Sequence, residues 1–190
     1  MTTPPHEDHM QILLMLCATI CAIIGAASDL RSNRIPNWLT YGGLVLALTL
    51  RTAVGGWRGL EESLAGILMG GGIFLLLFLV HGMGAGDVKL MAAVGAWVGL
   101  HQTLRVLIAT ALAGGILALF YVVFYKRVGS TFRNIGVLLR FHLASGVRPH
   151  PEINLQRSEA IRLPYGLAIA LGTLYALTTA NNISGVIYGH

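Results

Sequence analysis

His81-Gly82-Met83-Gly84-Ala85-Gly86-Asp87-Val88-Lys89-Leu90 is a glycine-rich bend between two strongly apolar segments, and its aspartate is one of only three in 190 residues. Glycines spaced by single residues allow torsions and close approaches that a Cβ resists, so this stretch delivers a carboxylate on a tight bend at the edge of an apolar run. Asp8 lies in a polar tail with Pro4 and Pro5. Asp29 instead closes the first apolar segment, in Ala26-Ala27-Ser28-Asp29-Leu30-Arg31. The sequence therefore points to Asp87 and Asp29 as a pair.

The setting of that pair is a membrane. Hydrophobic residues make up 55% of the chain, charged residues only 11%, and mean hydropathy is +0.69, far outside the range of ordinary soluble domains. A hydrocarbon core of about 30 Å takes roughly 20 apolar residues per helix, which leaves room for about six spans and one sizeable loop. The expected fold is thus all-α and polytopic, a single integral membrane domain over 1–190. The net charge of +5 belongs to membrane-flanking loops, and no basic domain or aromatic-basic alternation marks a nucleic-acid binder. Cys17 and Cys21 read as small packing residues in the first span, and no Cys-x-x-Cys pair is present to suggest a zinc site.

Outward from the bend, spans are expected at about 10–28, 38–50, 61–80, 88–100, 103–125 and 163–180. The first lacks the preceding positive charge of a signal peptide, since Arg31 and Arg34 follow it, so it is expected to be retained. A turn containing Arg51, Gly55, Gly56, Trp57 and Arg58 separates the second and third spans. Glu61 and Glu62 suit the N-terminus of the third, where the helix dipole favours negative charge. Gly70-Gly71-Gly72 in that span would let a neighbouring helix come close. The long connection 126–162 is basic, and Phe132, Ile135, Leu138, Leu139 and His142 recur within it at helical spacing, which predicts a short amphipathic helix on the membrane between spans five and six.

Basic residues orient the bundle. Ten of the thirteen fall in odd-numbered loops and three, Arg51, Arg58 and Arg105, in even ones, so the odd loops are expected in the cytoplasm and both termini outside. Asp29 and Asp87 then lie at one membrane level, on the cytoplasmic side.

A carboxylate at or below a membrane surface loses hydration and is kept only when paired or useful. Two facing each other share a proton, because like charges in a low dielectric raise one apparent pKa and leave an acid beside a base at neutral pH. Such a pair can hydrolyse a peptide bond: the ionised Asp takes a proton from attacking water while the protonated one donates to the carbonyl oxygen.

Gly84-Ala85-Gly86-Asp87-Val88-Lys89 resembles the Gly-x-Gly-Asp motif of the type IV prepilin peptidases, which are membrane aspartyl proteases. Asp29 with Arg34-Ile35-Pro36-Asn37 is similar to that family's first aspartate and its downstream basic-Ile-Pro-Asn segment, and Leu163-Pro164-Tyr165-Gly166-Leu167-Ala168-Ile169 resembles the start of its last helix. The resemblance implies an aspartic endopeptidase of the bacterial inner membrane that removes the leader from prepilin or pseudopilin precursors at the cytoplasmic face. Asp29 and Asp87 would be its catalytic pair, and it would need no cofactor or metal. Longer members carry two Cys-x-x-Cys pairs and methylate the new N-terminus with S-adenosylmethionine. This chain resembles the short form of tight-adherence (Flp-type) pilus systems, so methylation would need another protein.

Supporting roles are expected for Gly84 and Gly86 in shaping the bend and for Lys89 as a pKa-tuning charge or a membrane anchor. Arg34, Pro36 and Asn37 belong to the first motif. Pro164 and Tyr165 could hold substrate backbone, although proline at a first helical turn needs no such role. His81, His101 and His142 are scattered, so no metal site is expected. Partners implied are precursor substrates, lipid at the basic loop, and the pilus secretion machinery. Two other readings remain open at this stage, a proton-coupled transporter or channel and a non-catalytic pilus assembly subunit.

Overall fold

The computed structural model describes residues 5–80, 83–124 and 164–188, and within them every regular element is a helix. The helices are α1 (Pro5–Ser32), α2 (Asn37–Leu79), α3 (Ala85–Val98), α4 (Leu100–Phe124) and α5 (Tyr165–Tyr188). Three of them are long and apolar enough to cross a membrane, over Met10–Ser32, Asn37–Leu79 and Leu100–Tyr121, and Tyr165–Thr179 is a shorter apolar helix. The expected amphipathic helix in 126–162 lies outside the described residues, as do His81, Gly82, His142 and Leu163.

Helix α2 has 43 residues. Drawn straight it would run about 65 Å, twice the thickness of a hydrocarbon core. It breaks at Gly56, whose φ of 57° and ψ of −139° are non-helical. A Cβ at Gly59 would collide with the carbonyl oxygen of Arg51, eight residues earlier and about 12 Å away along an unbroken helix. The chain therefore doubles back at Gly56, and α2 is a hairpin of two helical arms. The turn expected over 51–58 contracts to this single residue.

The hairpin embraces α3. Its first arm runs alongside α3 in the same direction, with Asn37 near Lys89 and Gly43 near Trp97. Its second arm runs the opposite way: Gly70 faces Met91, Gly66 faces Gly95, and Ser63 donates to the Ala96 carbonyl at 2.8 Å. A Cβ on either Gly66 or Gly95 would strike the carbonyl oxygen of the other. Lipid gives apolar helices little hydrophobic reason to associate, so close backbone approach through small residues carries the packing. Gly70 and Gly71 serve that approach, whereas Gly72 faces open space.

Helix α3 is the inner element, with Leu90, Met91, Val94 and Ala96 fully buried. On its other side Leu90 meets Gly25 of α1. Helix α5 lies antiparallel to both α1 and α4, through Gly166 against Ala26 and Asp29, Gly114 against Tyr165, and Gly172 against Thr110. The outward surfaces of α2 and α4 keep large apolar side chains exposed, among them Leu68, Leu112 and Ile116, as suits helices that face lipid.

At the end remote from both aspartates, α3 passes into α4 through Gly99, whose φ of 78° and ψ of 176° suit only glycine. Arg51 donates from Nη1 to the Trp97 carbonyl at 3.2 Å, and Glu62 Oε2 accepts the Leu100 N–H at 3.1 Å. A cation thus sits at the α3 C-terminus and an anion at the α4 N-terminus, each complementing the local helix dipole. Glu62 was expected to favour the start of its own helix; it caps α4 instead, because the hairpin brings it there.

Gly99→Ala should destabilise the detergent-solubilised protein by about 1–3 kcal/mol, since a Cβ would also lie 2.7 Å from Glu62 Oε2. Gly72→Ala, into open space, should leave the melting temperature unchanged or slightly higher.

Candidate active site

Asp29 falls in the last turn of α1, which continues four residues beyond the expected end of the first span. Its Oδ2 accepts the backbone N–H of Gly166 at 3.2 Å, across the α1–α5 contact. Asp87 is the third residue of α3 and is 9% exposed. Its Oδ2 accepts the N–H of Gly84 at 3.2 Å, while its own N–H donates to the Gly84 carbonyl at 3.2 Å. This reciprocal pair closes the helix start in the manner of a capping box, with the carboxylate satisfying an otherwise orphaned N–H. Each acid is thus oriented by a glycine backbone amide.

The two acids share one site. Gly25, one turn before Asp29, packs on Leu90, three residues after Asp87. Consecutive residues of α5 touch both: Gly166 bonds Asp29, and Tyr165 lies within reach of the Asp87 charge. Asp29 acts electrostatically on Asp87 itself. Asp87 is the more deeply buried of the two acids, and Asp29 is half-buried.

The connector between α1 and α2 forms one wall. Asn33 has a φ of 51° and donates its N–H to the Asp29 carbonyl at 2.8 Å. Arg34 is exposed, and its carbonyl accepts the Ser28 and Ser32 hydroxyls at 2.9 and 3.3 Å. Pro36, in extended conformation, precedes α2 and accepts the Leu39 and Thr40 amides. Asn37 Oδ1 accepts from Lys89 Nζ at 3.1 Å, and that ammonium also lies 5.1 Å from the centre of the Tyr41 ring. Pro164 plays the corresponding part before α5, accepting the Leu167 amide at 3.1 Å.

Of the two properties expected of Gly84 and Gly86, free torsions and close approach, the second is the one seen. Gly84 has an ordinary φ of −84°, and among the described residues only Gly56 and Gly99 are glycines with positive φ. Their contribution is space: a Cβ on Gly86 would lie 3.3 Å from Ile35 Cβ, and one on Gly84 3.3 Å from Asp87 Oδ2. Gly166, Ser28, Ser32 and Ile35 were not singled out from sequence as site residues. Gly166 and Ile35 stand inside the quoted motifs, so a small residue beside a helix start was the available signal. Among the described residues no group of three or more His, Cys, Asp or Glu could hold a metal ion.

A buried Asp87 and a half-buried Asp29 at one end of an apolar, all-helical bundle place the chain in the class of polytopic membrane proteins with carboxylates at the helix ends. The chain matches the Type IV leader peptidase family over residues 15–119, more than half of its length and a span that includes both aspartates, and it belongs to that family. It is 35% identical over 113 residues to the prepilin leader peptidase/N-methyltransferase of Burkholderia pseudomallei (strain 1026b), covering 55% of this chain and 35% of that protein. The proteins of the same name from Aeromonas salmonicida (strain A449) and Escherichia coli (strain K12) are 35% and 36% identical over 99 and 95 residues. These matches cover 46% of this chain in both cases, and 32% and 41% of the relatives. The match thus spans about a third of the length of the first two relatives. No solved structure matches the chain.

Gly166→Ala would place a methyl group 3.1 Å from Asp29 Oδ2 and 3.3 Å from the Ala26 Cα. It should lower stability by about 1–2 kcal/mol in a detergent melt, while Gly115→Ala, with nothing within 4 Å, should not.

Proposed function

We propose that this chain is an aspartic endopeptidase that removes leader peptides from prepilin precursors at the cytoplasmic face of the bacterial inner membrane, with tight-adherence pilins as its substrates. The observation that carries the reading is the placement of Asp29 and Asp87 at one end of the bundle, each carboxylate oriented by a glycine amide.

Six helical runs alternate in direction, counting the two arms of α2, and we read them as six membrane passes. At 14 residues α3 is the short one, about 21 Å long. The surrounding helices shield its ends, and Asp87 lies at the mouth of that pass. The excess of basic residues in the odd loops supports a cytoplasmic position for the pair. The relatives' N-methyltransferase designation is not carried over to this chain.

In the proposed reaction, at neutral pH the pair holds one proton, and the deeper burial of Asp87 favours it as the holder. Ionised Asp29 removes a proton from water as the oxygen attacks the scissile carbonyl carbon. Asp87 donates to the carbonyl oxygen, giving a neutral tetrahedral intermediate. Collapse breaks the C–N bond as Asp29 passes its proton to the leaving amine and the carbonyl re-forms, returning a proton to Asp87. Tyr165 borders the pair, and Pro164 sets the start of the helix that carries Gly166.

A proton-coupled transporter would need polar groups strung along the bundle. The buried hydroxyls of Thr19, Thr103 and Thr173 instead bond carbonyls of Met15, Gly99 and Ile169, one turn back along the chain, which favours the peptidase.

Asp29→Asn and Asp87→Asn should each lower leader cleavage by roughly 10²–10⁴-fold or more in a purified assay read by mass spectrometry, with the protein still folded in detergent. Appreciable turnover by either variant would sink the pair mechanism. The pH profile provides a separate check. Raising pH until the pair loses its shared proton leaves two ionised carboxylates with no acid, so kcat/KM should fall on the alkaline side, while strong acidification removes the base.

A further inference from the structure

Three contacts tie the α1–α2 connector and the start of α2 to the start of α3. Ile35 packs against the open face of Gly86, where a Cβ would be 3.3, 3.4 and 3.5 Å from Ile35 Cβ, Cγ1 and Cδ1. Lys89 Nζ donates to Asn37 Oδ1 at 3.1 Å. The same ammonium stands over the Tyr41 ring, 5.1 Å from its centre, where a cation is attracted to the π-face. The connector is fixed to α1 as well, by the Ser28 and Ser32 hydroxyls on the Arg34 carbonyl and by the Asn33 amide on the Asp29 carbonyl. Asp29 and Asp87 are therefore joined by a short, continuously held path of eight residues, Asp29 to Pro36, closed by the reach of Lys89 to Asn37.

We propose that Lys89 is a positioning residue for the hydrolysis: by gripping Asn37 and Tyr41 it presses the Ile35 connector onto Gly86 and fixes the spacing of the two aspartates. This rests on the peptidase reading. Lys89 extends away from the acid it follows by two residues, toward the start of α2, and no bond or ion pair joins its ammonium to either carboxylate among the described contacts. An acid-base pair that must share a proton and straddle one water is sensitive to its separation, and a misplacement of about 1 Å can cost on the order of 10²-fold in rate.

The test uses the full chain, purified in detergent. Lys89→Met keeps most of the stem and removes the donor; Asn37→Ala removes the acceptor. Each should lower kcat for a prepilin precursor by about 10-fold with KM nearly unchanged, and the double variant should be no worse than either single one, as expected for two halves of one contact. Lys89→Arg, which can still donate to Asn37 and stack on Tyr41, should restore most of the rate. A second measurement needs no peptidase activity. In a chain with Cys17 and Cys21 replaced by serine, the pair Ile35→Cys and Gly86→Cys is close to disulfide spacing and should cross-link readily on oxidation, and Lys89→Met should slow that cross-linking by about 10-fold. Cross-linking indifferent to Lys89→Met overturns the proposal. So does a Lys89→Met enzyme that keeps its full kcat at a shifted pH optimum, which would make Lys89 a charge that tunes the acids. If the wild-type chain cleaves no precursor, the peptidase reading fails on its own, and the cross-linking still decides whether the clamp exists.

Discussion

Two carboxylates placed at the ends of apolar helices are held, among the described residues, without an opposite charge. That constraint shapes the region around them. Asp29 and Asp87 each take a backbone amide from a glycine, and a backbone donor is the least costly partner available, because it brings no countercharge that would force both acids to ionise. An arginine in the same position would make each a salt bridge and remove the shared proton. The glycines at 84 and 166 are thus determined by the acids: a side chain on either would occupy the space of the oxygen it serves.

The same demand for room governs the rest of the bundle. Helix α3 carries Asp87 at one end and must be reached on several sides by α1 and both arms of α2. Its contacts run through glycine at 25, 66, 70, 71 and 95. With little hydrophobic gain between helices in lipid, contact area at short range takes over the work of a soluble core. The charges Arg51 and Glu62 are kept at the opposite end, where they close the α3–α4 junction, separating a structural polar cluster from the one suited to chemistry.

How much of this could be read from the sequence depends on whether a feature is local. Asp29 and Asp87 stood out as candidates by scarcity, because an apolar chain with three aspartates leaves few others. The reversal between the second and third helical runs was visible in Gly55-Gly56, and the close approach of helices in Gly70-Gly71. Three features were not legible because they depend on partners distant in sequence. Glu62 caps α4 across 38 positions. Gly166 serves Asp29 across 137. The glycines before Asp87 offered both free torsion and close approach without deciding between them; Gly84 has a φ any residue could adopt, and the volume that Ile35 and the carboxylate occupy decides.

The distribution of polar groups then narrows the chemistry the fold can perform. Buried threonines along the helices bond backward to their own carbonyls, and Ser63 bonds a neighbouring helix, so these hydroxyls do not form a hydrated line. Among the described residues Trp97 Nε1 and Thr110 Oγ1 are buried without a hydrogen-bond partner, in separate parts of the bundle and each beside a glycine, Gly43 and Gly172. Isolated polar atoms of that kind do not make a proton path, which needs groups within hydrogen-bond reach of one another. The acid-base capacity of the described bundle is concentrated where α1, α3 and α5 converge, at one boundary of the apolar region. In the proposed peptidase reading, a substrate would bring its reacting bond to that boundary, as a peptide bond lying just ahead of an apolar helix does through its own insertion.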